Sequence, residues 1–328
     1  MGMQVVRFKQ NGKEQWGVVT EERILVLPKA YQSLAEFLER GIDEARKVKE
    51  TGTDETVSLG DVELLSPVTK PARIICQGTN YATHRSEAGL DAKRAPFNLF
   101  FSKADSALCG ANSEIVRPEH VKLLDYEIEL GLIVGENITG PVEVTDDNLP
   151  QYIAGIVIVD DVSARDVQFT EGQWLKGKSY RTFAPAGPFL YLLDPEEVPK
   201  IHNLELNLWV NDELRQSANS TQLLYKPAET LTELSEIMDL SKGDLILTGT
   251  TGGVALNISP EVNNRLSDSS LTAQQRVDII LESQQKNNER YLKEGDIVRC
   301  QIKSPDGSID LGEQRNKVVT GSKEPVGL

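Results

Sequence analysis

Between Leu124 and Gln168 the chain carries two apolar runs that are bounded by carboxylates, and they constrain its fold more than any other feature. The first, Asp125-Tyr126-Glu127-Ile128-Glu129-Leu130-Gly131-Leu132-Ile133-Val134-Gly135, alternates with the period of a strand. Ile128, Leu130, Leu132 and Val134 fall on one face, Glu127 and Glu129 on the other, because residues two apart on a strand point the same way. The second, Ala154-Gly155-Ile156-Val157-Ile158-Val159, is continuously apolar and runs into Asp160-Asp161. Singly, each has an ordinary explanation: a solvated strand face, or a turn after a strand. Embedded in apolar sequence, however, a carboxylate needs a partner or a metal. Two such strands bringing three carboxylates to one spot would make an all-oxygen site for a hard divalent cation.

At 328 residues the chain can bury a large core or form two domains. Its formal net charge of −15 argues against a nucleic-acid partner, which needs a basic face. No apolar run approaches the roughly 20 residues of a membrane span, and Met1 to Gln10 lacks an apolar signal core. A cytoplasmic protein is the expectation. Cys76, Cys109 and Cys300 are scattered, without a CxxC pair, and read as buried, reduced thiols. Only His84, His120 and His202 are present, too few for a histidine-rich metal site.

Residues 1–66 read as a small leading domain with strands at Met3–Phe8 and Trp16–Val19 around an Asn11-Gly12 turn. Ser33 to Glu36 is a capping box for a helix continuing through Ala45. A main domain begins near Pro67. There a short apolar strand, Ala72 to Cys76, ends in Gly78-Thr79-Asn80-Tyr81, and His84 and Glu87 follow three apart, on one face if this is a helical turn. Such a pair is usually a surface contact, but directly after a strand end and a glycine it is a catalytic candidate. Being polar and followed by Gly89 and Pro96, the segment Tyr81 to Gly89 could also be a lid over substrate. Lys103, at the end of Leu99-Phe100-Phe101-Ser102, could line the site but reads rather as a solvated edge lysine; His120 reads as surface, and His202 as unpaired. Thr230 to Glu233 is a second capping box. Thr248-Gly249-Thr250-Thr251-Gly252-Gly253 is a tight turn whose N–H groups could approach an anion, without a Walker or Rossmann pattern.

In these residues the chain resembles the fumarylacetoacetate hydrolase family. The blocks are Gln77 to Glu87, Asp125 to Gly135, Asp161-Val162-Ser163-Ala164-Arg165-Asp166-Val167-Gln168, Trp174 to Pro188 and Gly243 to Gly253, in the family's order over roughly residues 70–255, with a weaker tail to Val318. The resemblance implies Mg2+ or Mn2+ held by Glu127, Glu129 and Asp161. Asp160 is the second choice, since the family's aspartate directly precedes Val-Ser-Ala-Arg-Asp. It implies that Lys178, not Lys176, points at the substrate, that Gln168 holds water or substrate, and that the Gly249-Thr250 turn holds the substrate carboxylate. Tyr81 and Arg85 are read as further substrate-binding residues. Thr251 stands where the family usually has proline.

Residues 260–293 depart most from the family. Ala273, Val277, Ile280 and Leu281 make a stripe too narrow for a core helix, which suggests an amphipathic helical insertion on the surface or across a subunit contact. Many short strands and few helices argue for a β-rich α+β domain, 67–328. The resemblance makes this a mixed sheet rolled around the metal site, usually in a homodimer. The activity it implies is hydrolysis of a C–C bond in a β-diketo acid, with His84 and Glu87 activating water. A decarboxylase or a dehydratase or isomerase of related keto acids would use the same site. A non-catalytic metal-binding protein would leave His84, Glu87 and Lys178 without a role.

Overall fold

The computed structural model describes residues 2–170 and 172–321. Its centre is the antiparallel pair Ile128–Val134 and Ile153–Asp160, in register from Ile128↔Asp160 to Ile133↔Gly155. Every residue of Ile128–Val134 is buried, so both faces of this strand are covered, beyond the one-face pattern its alternation suggests. On its other side lies Leu245–Thr250, followed in parallel by Ile74–Gly78 and then antiparallel by Leu99–Lys103. These strands belong to an open thirteen-stranded mixed sheet; a five-stranded sheet and a two-stranded one accompany it among the described residues. The class is α+β, with large mixed sheets and no closed barrel. No helix among the described residues is long and apolar enough to cross a membrane.

The leading segment folds around the hairpin Met3–Gln10 and Lys13–Thr20. Asn11 and Gly12 both take positive φ, the geometry that lets a two-residue turn match the twist of its strands. This hairpin joins the large sheet through Met3↔Leu192. Ser33 caps a helix by accepting from the Glu36 N–H. That helix ends at Arg40, and a second, Ile42–Thr51, starts after Gly41, which lies against the Phe37 ring with no room for a Cβ. The other capping box also shifts: the helix is Pro227–Ile237, begun by proline at its first position, with Glu229 rather than Glu233 accepting from the Lys226 N–H. His202 is not unpaired, since its Nε2 lies 3.5 Å from Asp146. His120 is exposed and meets the Tyr180 hydroxyl.

The segment 260–293 is two helices, Pro260–Leu266 and Ala273–Ser283, then a 3-10 turn, Gln285–Arg290, rather than one amphipathic helix. Its attachment is more polar than the stripe suggests. Gln284, fully buried, accepts from the Asn257 N–H at 3.2 Å and the Tyr291 hydroxyl at 2.8 Å and donates to the Asn257 carbonyl at 2.9 Å. Gln284→Ala leaves these buried groups unpaired, so it should lower unfolding stability by about 1–3 kcal/mol. Divalent-cation binding should persist, since the carboxylates lie elsewhere. A urea midpoint unchanged from the parent would show that the clamp contributes nothing.

Candidate active site

The register of the central pair builds the site. With Ile128 opposite Asp160, the chain beyond each strand places Glu127 beside Asp161, whose N–H donates to the Glu127 carbonyl at 2.8 Å. Asp160 turns its Oδ1 onto the Glu127 N–H at 2.8 Å. One oxygen of that side chain is thus occupied by backbone while Oδ2 is buried without a partner among the described residues, and burial pushes the carboxyl up to about 7. Asp161 faces the other way, and Glu127, Glu129 and Asp161 each offer an oxygen within 4.8 Å of the others.

Three buried cations surround this cluster. Lys178 Nζ donates to Glu127 at 2.5 Å and to Asp161 at 2.6 Å. Lys103 is not a solvated edge lysine: it is buried and paired with Asp161, because the strand Leu99–Lys103 ends beneath the carboxylates. Arg165 donates to Asp125 at 2.8 Å, Glu127 at 2.6 Å and Gln168 at 3.0 Å. Burial raises the proton affinity of Glu127, but Arg165 and then Lys178 outweigh it and hold the carboxyl below its usual range. Glu129 differs. Burial, then the charges of Asp161 and Glu127, push it well above the usual range. It accepts from the Gly249 N–H at 2.7 Å, and no lysine or arginine pairs with it among the described residues. A buried carboxylate facing two others lacks a positive partner, and an all-oxygen donor set suits Mg2+ or Mn2+. The residues fit the cation.

His84 lies in the helix Ala82–Glu87 and is buried. Its Nδ1 is 3.7 Å from Glu87 and its Nε2 is 3.9 Å from Glu127, both longer than a hydrogen bond. Among the described residues, Nδ1 and the facing Glu87 Oε2 are buried without hydrogen-bond partners. The other Glu87 oxygen accepts from the Gly253 N–H at 2.8 Å, Thr83 accepts from Gly252, and the Ile258 N–H donates to the Glu87 carbonyl. The helix is thus tied to the glycine turn and to the chain leading into the segment 260–293.

A cavity of about 260 Å3 opens over these groups. His84, Glu127, Glu129, Gln168, Lys178 and Thr250 all line it. Gly249 meets the cluster through its N–H on Glu129, so this donor holds a carboxylate of the protein. Tyr81 is buried near Glu129, and its hydroxyl has no partner. Arg85 turns away, donating to Thr79 and to the Asp91 carbonyl. Arg165 has no role assigned from sequence, and Lys103 reads there as an edge lysine sooner than as a site residue. Their signal was a basic residue inside an acidic block and a lysine ending an apolar strand.

A family model described as "Fumarylacetoacetate (FAA) hydrolase C-terminal" matches residues 73–319, and one described as "Rv2993c-like, N-terminal" matches residues 3–67. The chain is 33% identical over 296 residues to "Oxaloacetate tautomerase Fahd2a, mitochondrial" of Rattus norvegicus, covering 89% of this chain and 81% of that protein. It is 31% identical over 297 residues to the FAHD2A oxaloacetate tautomerase of Homo sapiens, with the same shares covered. Among solved structures, a fumarylacetoacetate hydrolase from psychrophilic Exiguobacterium antarcticum superposes with a TM-score of 0.70 at 30% identity, covering 97% of this chain and 100% of that one.

Proposed function

The chain belongs to the fumarylacetoacetate hydrolase family, and on that premise we propose that it is a divalent-cation-dependent keto–enol tautomerase of a small 2-oxo acid. The observation that carries this reading is His84, a buried imidazole between Glu87 and the carboxylate cluster, lining the cavity. Tautomerisation needs one proton moved between a carbon and the neighbouring carbonyl oxygen. A single well-placed acid–base group is sufficient for that. The relatives whose names print oxaloacetate tautomerase support the reading.

Glu127, Glu129 and Asp161 would hold Mg2+ or Mn2+, which when bound supplies positive charge to a 2-oxo acid and favours its enolate. His84 Nε2, on the cluster side of the ring, takes the proton from the carbon next to the ketone and returns it to oxygen. Glu87, facing Nδ1, stabilises the protonated ring. Lys178 donates to Glu127 and Asp161, and Arg165 donates to Glu127; these bonds fix the direction of both carboxylates. The cavity volume lies just below the roughly 300–1,000 Å3 of sites for drug-sized ligands, which favours a short acid.

C–C hydrolysis is the second reading, favoured by the likeness to the bacterial fumarylacetoacetate hydrolase. It requires a water as well as the base. Following enol–keto exchange of oxaloacetate and acetylpyruvate by ultraviolet absorbance, with Mg2+ present, separates the two. The tautomerase speeds exchange and leaves the carbon skeleton whole. Release of pyruvate from acetylpyruvate at the same rate would favour hydrolysis, and no acceleration with either acid would overturn the proposal.

A further inference from the structure

The cavity has two unlike ends. Its floor carries the carboxylates with His84, Arg165 and Lys178; the last two are the arginine and lysine of its lining among the described residues, and both are bonded to those carboxylates. The remaining wall is largely apolar: Leu90, Leu99, Phe101, Trp174 and Leu256 line it. Into this wall the segment 260–293 contributes one polar side chain, Asn263 of the helix Pro260–Leu266. Asn263 is half-buried, and no hydrogen bond among the described residues engages its side-chain amide; its backbone accepts from Ser267 and donates to Ser259.

The helix bearing Asn263 is placed from both sides. The Ile258 N–H bonds the Glu87 carbonyl, and a Cβ on Gly89 would meet the Ser259 carbonyl at 2.9 Å, so the histidine helix and this helix start in direct contact. Gln284 holds both backbone groups of Asn257. Asn263 therefore sits at a set position over the cavity.

We propose that Asn263 is a specificity-determining residue, and that with its apolar neighbours it selects a substrate whose end remote from the 2-oxo acid is uncharged and hydrogen-bonding, such as a ketone, over one ending in a second carboxylate. The inference rests on the 2-oxo acid reading above. A distal carboxylate would enter an apolar wall where, among the described residues, no lysine or arginine is free to pair with it, and taking a charge out of water without a partner is costly. A carbonyl can instead accept from the Asn263 amide. The relatives' printed substrate is a dicarboxylate, so the preference drawn here separates this chain from them.

Acetylpyruvate and oxaloacetate test the idea, because they have the same number of non-hydrogen atoms and differ at the tail by a methyl in place of O−. Oxalate, which carries the chelating end alone, is the reference. Binding of each to the Mg2+-loaded full chain is measured by calorimetry, the two tailed acids in competition with oxalate. The parent should bind acetylpyruvate more tightly than oxaloacetate by about tenfold or more. Asn263→Lys should abolish or reverse that order, and Asn263→Asp should widen it, with oxalate bound equally by all three. Oxalate binding also reports that each variant is folded. If oxalate binds but the order is the same in all three proteins, or the parent favours oxaloacetate, this proposal is wrong and the 2-oxo acid reading stands. If the parent does not bind oxalate, that reading fails and takes this one with it.

Discussion

Asp161→Ala should abolish turnover and divalent-cation binding together. Asp161 supplies an oxygen to the three-carboxylate cluster and is the shared partner of Lys103 and Lys178. Its removal takes away a ligand and leaves two buried ammonium groups short of their counter-charge. Breaking a buried pair in this way costs about 3–5 kcal/mol, so the variant should also unfold at lower denaturant. Asp161→Asn keeps the shape and separates the effects: it should lose cation affinity with a smaller loss of stability. Glu127→Ala should behave like Asp161→Ala, since Glu127 holds Lys178 and Arg165. Metal analysis of the folded variants after equilibration with Mg2+ or Mn2+ provides the check. Full occupancy in both Asp161→Ala and Glu127→Ala would sink the ligand assignment.

His84→Ala should reduce kcat by about 10²–10⁴-fold, the usual contribution of a positioned acid–base group, while cation binding stays intact. The imidazole lines the cavity and makes no hydrogen bond that holds the carboxylates in place, so its loss removes a proton carrier and leaves the ligand cluster standing. Glu87→Gln should cost less. Glu87 acts through the ring, and its bond from the Gly253 N–H survives the change to an amide oxygen. Near-normal turnover by His84→Ala on an acid the parent converts would eliminate the histidine as proton carrier.

The site was legible in the sequence wherever its signal was local. Glu127 and Glu129 are two apart, one just before the central strand and one in it, Asp161 follows an apolar run, and His84 and Glu87 are one helical turn apart. Each pattern depends on neighbours in the chain, so periodicity alone places it on a face. The helix boundaries were less accessible. The first helix gives way to a second at Gly41, and Pro227 starts another ahead of its apparent cap.

Charge pairing was decided by the tertiary structure. Lys103 looks like an edge lysine until Leu99–Lys103 is laid beside Ile74–Gly78 and its end reaches Asp161. Whether Asp160 or Asp161 faces the cluster depends on strand register, since successive side chains point to opposite faces and Ile128 falls opposite Asp160. Arg85 belongs to the same block as His84 yet leaves the cavity, because its guanidinium finds Thr79 and a backbone carbonyl. Asn263 could not have been found from its neighbours in sequence, for it enters the cavity wall from a segment that reads only as a polar, weakly striped surface helix. The sequence by itself determined which strands are apolar enough to be central and which carboxylates they carry, since burial of apolar surface follows local composition and period. Tertiary structure alone decided which cation each carboxylate meets and what walls the cavity, because these follow from contacts between segments far apart in the chain, and no local pattern encodes them.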